Sequence, residues 1–412
     1  MDKMKSYHQI RGFNYTPSTA RNDIEFWRDY DEQMVEQELD YAQRLGLNSA
    51  RPFLAYVVYD HDPTMFLARV RHFVKAAWDR GITTMPVVWD SCFSEVNPTY
   101  DIDSADWVPN PGVQRLGPEF WPAGERYCHD VVQALGPEPG LAMWDVMNEP
   151  LMTSYIAGDM AESQRAERVD RIWSFVRHFS KVFGDLDREH HTTCGVARAR
   201  NLACIGDAVD VLSFHDYRQT RAAIHAHIDE ALGYAHTFGK PVFMSEMGCI
   251  ARANPYDMTL QICQDRGIGW YLWELMIGSS RWRDIHGIVY PDGSVRDPSI
   301  VAAVQGFFRN RDGKAVPPNV DKEGTATRAL ARAAEWLSAG QTDHSAGIEI
   351  AEVIANLLEA GELIAMVQPP TVVLRGLAEE TPDNYATLRL LISQWSDALV
   401  PHTGTIVKYA GQ

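Results

Sequence analysis

The sequence predicts an α/β fold, namely a (β/α)₈ barrel with a small C-terminal helical appendage. Short apolar, β-rich runs alternate with helical stretches eight times before about residue 310. The runs are almost continuously apolar, which is typical of parallel strands that are buried on both faces. Eight such units favour a closed barrel, and a doubly wound open sheet is the structural alternative.

The predicted elements follow one another with short connections. The apolar runs predict strands at 10–15, 49–55, 83–89, 141–148, 192–196, 211–215, 241–245 and 269–273. Helical periodicity predicts the main helices at 31–45, 64–80, 166–183, 222–238, 255–265 and 299–309. We therefore assign residues 1–312 to a catalytic barrel.

The chain changes character after the barrel. Residues 313–321 are rich in proline and lie in a breaker segment, which predicts a linker. Residues 322–412 show three amphipathic helical patterns with a short extended piece at 372–374 between them, and they predict a mostly helical C-terminal domain. This domain has no carboxylate at a strand end, so we expect no catalytic residue in it.

Composition excludes several classes of partner. The formal net charge of −17 repels phosphate backbones, so nucleic acid is not expected. No run is long and apolar enough to cross a bilayer, and the N-terminal residues lack a signal core, which predicts a cytoplasmic protein without a membrane partner. The six cysteines have no metal-binding spacing, so we expect buried thiols, no metal and no cofactor. The sequence does not decide between a monomer and a homo-oligomer.

Two glutamates stand where predicted strands end. Glu149 ends the fourth apolar run and is followed by Pro150, which stops the strand. Glu246 ends the seventh run and is soon followed by Gly248. In a barrel the C-terminal ends of the strands form the rim of the active site, so both carboxylates are expected to face each other there.

Paired carboxylates suit the cleavage of a glycosidic bond. One carboxyl must carry a proton for the leaving oxygen, while the other must be ionised to attack an oxocarbenium-like carbon. A single glutamate at a strand end is more often a capping or salt-bridged residue. Two in this order, with Asn148 beside the first, predict catalysis.

The two motifs, Asn-Glu-Pro at 148–150 and Ser-Glu-Met-Gly at 245–248, resemble the acid/base and nucleophile motifs of clan A glycoside hydrolases, especially family 5 and its relatives. The resemblance covers the barrel, roughly residues 8–310. It implies that Glu149 is the acid/base and Glu246 the nucleophile of a retaining mechanism.

Further residues match the same family pattern. They are Arg51 after the second strand, His215 and Tyr217 after the sixth, and Trp273 at the end of the eighth. The resemblance implies that Arg51 and Tyr217 hold Glu246. It also implies that Asn148 binds a sugar hydroxyl and that Trp273 stacks on the sugar. His215 would bind a hydroxyl or position a carboxylate. A structural ion pair, a core histidine and a core tryptophan are the alternatives for Arg51, His215 and Trp273.

The third strand departs from the family pattern, which has a histidine near its end. Trp89 and Asp90 stand there instead, and a long loop at 91–126 with Trp107 and Trp121 follows. We expect these residues to shape a wall over the sugar site and to shorten the cleft, which favours exo action. The alternatives are a surface flap packed by its own aromatics and an open groove with Trp89 as one stacking platform. A second aromatic loop at 279–286 is expected to close the opposite side.

The sequence therefore predicts a retaining glycoside hydrolase that acts on a neutral β-linked oligosaccharide. Transfer to another sugar would follow the same chemical path as hydrolysis, and the sequence does not separate the two. A catalytically inactive sugar-binding barrel or scaffold protein is the alternative from another class. A metal-dependent barrel hydrolase is a further alternative, although the strand ends lack the His and Asp clusters that it needs.

Overall fold

The structure, a computed structural model, describes residues 7–92, 101–104, 110–308, 322–339, 343–360 and 370–400. The chain divides into two compact units, Met1–Arg309 and Asn310–Gln412. The predicted linker at 313–321 lies outside the described residues.

The described residues of the first unit form nine strands, all of which pair in parallel. Their order in the sheet is β3-β2-β1-β9-β8-β7-β6-β5-β4. The strands are β1 (Arg11–Tyr15), β2 (Ser49–Pro52), β3 (Thr83–Thr84), β4 (Val87–Asp90), β5 (Met143–Asn148), β6 (His191–Val196), β7 (Leu212–Asp216), β8 (Val242–Met247) and β9 (Trp270–Leu272).

The sheet curls so that its two ends, β3 and β4, meet. Isolated bridges join Phe53 to Val87 and Thr84 to Leu141, so the third predicted run occupies one position in the ring although it is split in two. Pro86 lies in the gap, and a proline cannot donate a ladder hydrogen bond. The predicted α/β barrel is thus confirmed, with the single strand predicted at 83–89 replaced by two short ones.

Helices surround the sheet in the order expected of βα units. In the first unit they are α1 (Asp23–Arg28), α2 (Glu32–Arg44), α3 (Tyr56–His61), α4 (Pro63–Asp79), α5 (Trp121–Leu135), α6 (Glu162–Leu186), α7 (Leu202–Ile205), α8 (Arg221–Phe238), α9 (Tyr256–Asp265) and α10 (Pro298–Val304). Helix α4 shows how the local sequence determines where a helix begins and which face it buries. The Asp62 side chain caps it by accepting from the backbone N–H of Met65, and Phe66, Val70 and Phe73 form its buried stripe.

The bottom of the barrel is closed by side chains. Six buried residues form an apolar plug at the N-terminal ends of the strands, namely Ile10, Met85, Met143, Val211, Phe243 and Tyr271. Apolar filling at this end leaves the polar residues of the barrel interior at the C-terminal ends of the strands, where barrel enzymes carry their active sites.

The second unit contains the helices α11 (Lys322–Ser338), α12 (His344–Ala360), α13 (Pro370–Gly376) and α14 (Pro382–Leu399). They share an apolar core that includes Trp336, Ile354 and Trp395. The extended piece predicted at 372–374 is wrong, because these residues belong to α13. Leu374 is buried in the shared core, and this packing outweighs the β preference of the two preceding valines. Within the described residues, no helix has the length and apolar character needed to cross a bilayer.

Candidate active site

The two glutamates of the predicted pair meet at the mouth of the barrel. Glu149 directly follows β5, and Glu246 is the penultimate residue of β8. They are only 7% and 5% exposed. Glu149 has a φ of 42°, a left-handed conformation that is uncommon for residues other than glycine and that clusters at functional sites. One oxygen of Glu149 lies within 4.8 Å of one oxygen of Glu246, with a nitrogen of His215 within the same distance of both.

Arg51 connects the nucleophile candidate to the barrel interior. The guanidinium group is fully buried and donates to Glu246 Oε1 at 2.7 Å, to Asp145 Oδ2 at 2.9 Å and to Asn148 Oδ1 at 2.7 Å. It also donates to Asn14 Oδ1 at 2.7 Å. Removing one partner from a buried ion pair typically costs about 3–5 kcal/mol, so Arg51 both holds Glu246 and stabilises the barrel.

Burial and the neighbouring positive charge act on Glu246 in opposite directions. Burial raises the pKa of Glu246, while the positive charge of Arg51 opposes that rise. The second carboxylate oxygen, Oε2, accepts from the Tyr217 hydroxyl at 3.0 Å and lies 3.3 Å from His215 Nδ1. Glu246 therefore has donors at both oxygens.

Glu149 is held by weaker, uncharged donors. His215 Nδ1 lies 2.7 Å from Glu149 Oε1, and Cys92 Sγ lies 2.9 Å from Oε2. Burial lowers the pKa of His215 to about 4, so the ring is neutral near pH 7 and we assign its proton to Nδ1, which faces the carboxylates. Burial raises the pKa of Glu149, and the Cys92 thiol and Arg51 oppose this only in part. When the two glutamates share one proton, this arrangement favours the proton on Glu149 and the negative charge on Glu246.

Gly195 on β6 permits the close packing beneath these groups. A Cβ atom at this position would lie 2.8 Å from Arg51 Nη2, 2.8 Å from His215 Nε2 and 3.2 Å from Ser245 Oγ. Neither Arg51 nor His215 can move away, because each is held by the carboxyl groups of the site. A side chain at Gly195 would therefore displace the groups that orient both glutamates.

We expect Gly195→Ala to lower kcat by roughly 10²-fold, since displacements of about 1 Å cost that much in well-oriented sites. Gly184→Ala in α6 is the matched control, because nothing lies near its Cβ position. Steady-state kinetics of the two folded variants, with circular dichroism to check folding, measure the effect. Equal kcat values for both variants would show that the packing at Gly195 does not position the glutamates.

A cavity opens above the two glutamates. About 620 Å³ of empty space lies within it, open solvent at its mouth included. Its walls include Trp273, Tyr217 and Arg252, together with Trp282, Ile285 and His286 from the predicted second aromatic loop. Burial lowers the pKa of His286 to about 4, and its Nδ1 bonds to the carbonyl oxygen of Gly248 at 2.7 Å.

Trp89 and Asp90 do not line this cavity, which corrects the expectation for the third strand. Trp89 is fully buried, with its ring centroid 5.0 Å from that of Tyr127 and 5.1 Å from that of Phe179 in the layer between sheet and helices. Alternate residues of a strand point to opposite faces, so Trp89 points outward. Asp90 is buried beside the site, where its Oδ1 accepts from Asn148 Nδ2 at 2.9 Å.

The long loop predicted at 91–126 is shorter than expected. Helix α5 already begins at Trp121, whose ring stacks on that of His178 in α6 with the centroids 3.9 Å apart. Trp121 therefore packs in the helical layer and does not cover the sugar site. Trp107 lies outside the described residues, as do residues 93–100.

Sequence reasoning missed two residues that hold the site. Asp145 is internal to an apolar strand, yet it is fully buried as an ion-pair partner of Arg51. Cys92 contacts Glu149 directly and lines the cavity. A charged residue within an otherwise apolar strand, and a thiol two residues beyond a strand end, were the available signals.

Comparison with known proteins supports the assignment of the fold. No protein-family model matches the chain, and no curated protein matches it in sequence. A GH5_18 structure from Streptomyces cattleya in complex with Manβ1-4GlcNAc has a TM-score of 0.55 at 17% identity, over 72% of this chain and 79% of that chain. A GH5_18 structure from Bifidobacterium longum subsp. infantis has a TM-score of 0.54 at 17% identity, over 73% and 79% of the two chains.

The exo-β-1,4-mannosidase Op5Man5 from Opitutaceae bacterium strain TAV5 is similar at a TM-score of 0.54 and 17% identity. The match covers 71% of this chain and 58% of that enzyme. All three similar structures are glycoside hydrolases. The barrel of this chain therefore shares the α/β-barrel fold of these glycoside hydrolases.

Proposed function

We propose that this protein is a retaining β-glycosidase, with Glu149 as acid/base and Glu246 as nucleophile. The observation that carries the proposal is the buried pair of glutamates at the ends of β5 and β8, with one oxygen of each within 4.8 Å of the other. Retaining enzymes hold their two carboxyl groups about 5–5.5 Å apart, whereas inverting enzymes need about 6.5–9.5 Å to admit a water. An oxygen of each glutamate within 4.8 Å of the other is in keeping with the retaining separation, and on this basis we infer direct attack by Glu246.

The two glutamates have different surroundings, and these suit Glu149 to the role of acid/base and Glu246 to that of nucleophile. In the first step Glu149 gives its proton to the glycosidic oxygen while Glu246 Oε attacks the anomeric carbon and the leaving group departs. In the second step Glu149 takes a proton from water, whose oxygen attacks the same carbon and releases Glu246. Arg51 and Tyr217 hold the attacking carboxylate, and His215 holds the acid/base.

The neighbouring side chains supply sugar contacts. The Asn148 amide is oriented because its Oδ1 accepts from Arg51 and its Nδ2 donates to Asp90, which leaves one N–H for a sugar hydroxyl. Trp273 lines the cavity and offers an aromatic face to the ring at the reaction centre. Asp90 acts through Asn148, so its role is to position that amide.

We further propose a short β-linked, neutral oligosaccharide as substrate, with exo-like release of a small sugar. The cavity walls include Trp282, Ile285 and His286, whereas Trp89, which the sequence predicts as part of a wall, does not line the cavity. The similarity to an exo-β-1,4-mannosidase is in keeping with this action. Rapid loss of viscosity of a soluble β-glycan, with a ladder of products, would contradict it. The cytoplasmic location expected from the sequence stays a prediction.

The direct test of the mechanism is the configuration of the first product. Proton NMR of a β-glycoside digest should show the β-anomer of the released sugar before mutarotation produces the α-anomer. Initial appearance of the α-anomer would establish inversion and overturn the proposed double displacement. Absence of sugar release across a panel of β-glycosides would favour the inactive sugar-binding barrel instead.

The pH profile of kcat/KM follows from the raised pKa of Glu149. The acid must be protonated in the free enzyme, so activity is present below this pKa and is lost as the pH rises through it. Because burial raises the pKa, the basic limb should lie above the ordinary value of 4.5. Glu149→Gln cannot titrate, so its residual activity on phenyl β-glycosides should lack the basic limb. Persistence of that limb in the variant would assign it to another group.

A further inference from the structure

Cys92 brings a thiol into the proposed reaction centre. It lies two residues beyond the end of β4, where its backbone N–H donates to Asp90 Oδ1 at 3.0 Å. This bond directs the side chain into the cavity, with Sγ 2.9 Å from Glu149 Oε2. The thiol is buried but reaches the same space that a substrate would enter.

Three side chains at this point, those of Glu149, His215 and Glu246, each place one donor atom within 4.8 Å of the others, and Cys92 Sγ contacts Glu149 beside them. We refer to them as the reaction-centre donor set, which consists of Cys92, Glu149, His215 and Glu246. We propose that the donor set forms an inhibitory site for a thiophilic divalent cation, with Zn²⁺ as the best match. The binding part of this inference stands on geometry alone, whereas its effect on turnover rests on the proposed function.

Three of the proposed donors are spaced closely enough to share one ion, and the fourth, Cys92, contacts one of them. Three of the contacts are 2.7 Å from His215 Nδ1 to Glu149 Oε1, 3.3 Å from the same nitrogen to Glu246 Oε2, and 2.9 Å from Cys92 Sγ to Glu149 Oε2. Metal–donor bonds of about 2.0–2.3 Å place neighbouring donors of a tetrahedral zinc site roughly 3.3–3.6 Å apart. Glu149, His215 and Glu246 already lie within 4.8 Å of one another, and the proposal requires the Cys92 side chain to rotate so that Sγ becomes the fourth donor.

The chemistry of the donors selects the cation. A thiolate and an imidazole nitrogen favour Zn²⁺, whereas Mg²⁺ and Ca²⁺ prefer oxygen ligands and keep more of them. When Zn²⁺ bonds to Cys92 Sγ, the thiol proton leaves to solvent, and no electron transfer is involved. Within the described part of the chain His215 Nε2 has no hydrogen-bond partner, so it can carry the ring proton when Nδ1 binds the ion.

Bound Zn²⁺ would stop the proposed reaction for two reasons. A metal-bound Glu149 cannot carry the proton that the leaving oxygen needs, and a metal-bound Glu246 has lost the lone pair that attacks the sugar. The ion would also occupy the floor of the cavity. Inhibition should therefore be competitive with substrate.

The first experiment compares Zn²⁺ inhibition in Cys92→Ser and in Cys204→Ser, a matched control because Cys204 is an exposed free cysteine on α7. Each variant is scaled to its own uninhibited rate. We expect Cys204→Ser to match the wild type, and Cys92→Ser to need at least about tenfold more Zn²⁺ for half inhibition. Mg²⁺ at the same concentrations should inhibit none of them. Equal Zn²⁺ sensitivity of Cys92→Ser and wild type would overturn the site.

A second measurement does not depend on turnover. Co²⁺ added to the Cys204→Ser protein should produce the charge-transfer absorption of a thiolate–cobalt bond, and the added Cys92→Ser change should remove it. No band in the Cys204→Ser protein would also overturn the proposal. A band that depends on Cys92, in a protein that hydrolyses no glycoside, would support the metal site while the proposed function fails.

Discussion

Glu246→Ala should abolish turnover, with a loss of kcat on the order of 10⁴-fold or more. The substitution removes the atom that forms the covalent bond to the sugar, and among the described residues of the site none is placed to replace it. Arg51 would keep its charge, so the space left by the carboxylate should attract a small anion. Added azide should therefore restore turnover of the β-glycoside and give an α-glycosyl azide, with the configuration inverted.

A neighbouring glutamate provides the control for this experiment. Glu274 follows Trp273 and is almost fully buried, and burial raises its pKa to about 8, so it is largely protonated near pH 7. Glu274→Gln should therefore keep most of the activity, while Glu246→Gln should keep almost none. A strong loss in Glu274→Gln together with an active Glu246→Gln would show that Glu274, and not Glu246, is the nucleophile.

The barrel was predictable because its strands are buried on both faces. Continuous apolar runs placed all eight strand positions, and five of the six helices given bounds begin and end within four residues of those observed. The helix predicted at 299–309 ends at Val304, and α5 begins inside the loop predicted at 91–126. The run at 83–89 was the exception among the strands, since its composition hides the effect of Pro86 on pairing. The prediction of an extended piece at 372–374 was wrong for a different reason. The burial of Leu374 in a helical core depends on residues far away in sequence.

Residues of the site were predictable only where the residue type and its place at a strand end leave one position for the side chain. The glutamates of the two motifs stand directly at strand ends, so a register error of one residue would not hide them. Trp89 shows the opposite case, since neighbouring residues of a strand face opposite sides and a family position did not settle which side applied. Cys92 and Asp145 matter through single contacts with Glu149 and Arg51, and such contacts appear only when distant strands meet.

Glu149→Ala should separate substrates by the quality of their leaving group. Protonation by an acid/base contributes about 10²–10⁴-fold, so the loss of kcat/KM should reach that range for β-linked disaccharides, whose leaving alcohols need a proton. Dinitrophenyl glycosides need none, so their first step should change little. Their second step still lacks a base, and the glycosyl-enzyme on Glu246 should accumulate as a burst.

Azide distinguishes the role of Glu149 from that of Glu246. In Glu149→Ala the nucleophile is intact, so azide can attack only the glycosyl-enzyme, from the face that Glu149 served. The product should be a β-glycosyl azide, the opposite anomer to that from Glu246→Ala. If Glu149→Ala gave the α-azide, or lost disaccharide and dinitrophenyl substrates equally, the two roles would have to be exchanged. The uncharged donors on Glu149 and the Arg51 ion pair on Glu246 argue for the assignment made here.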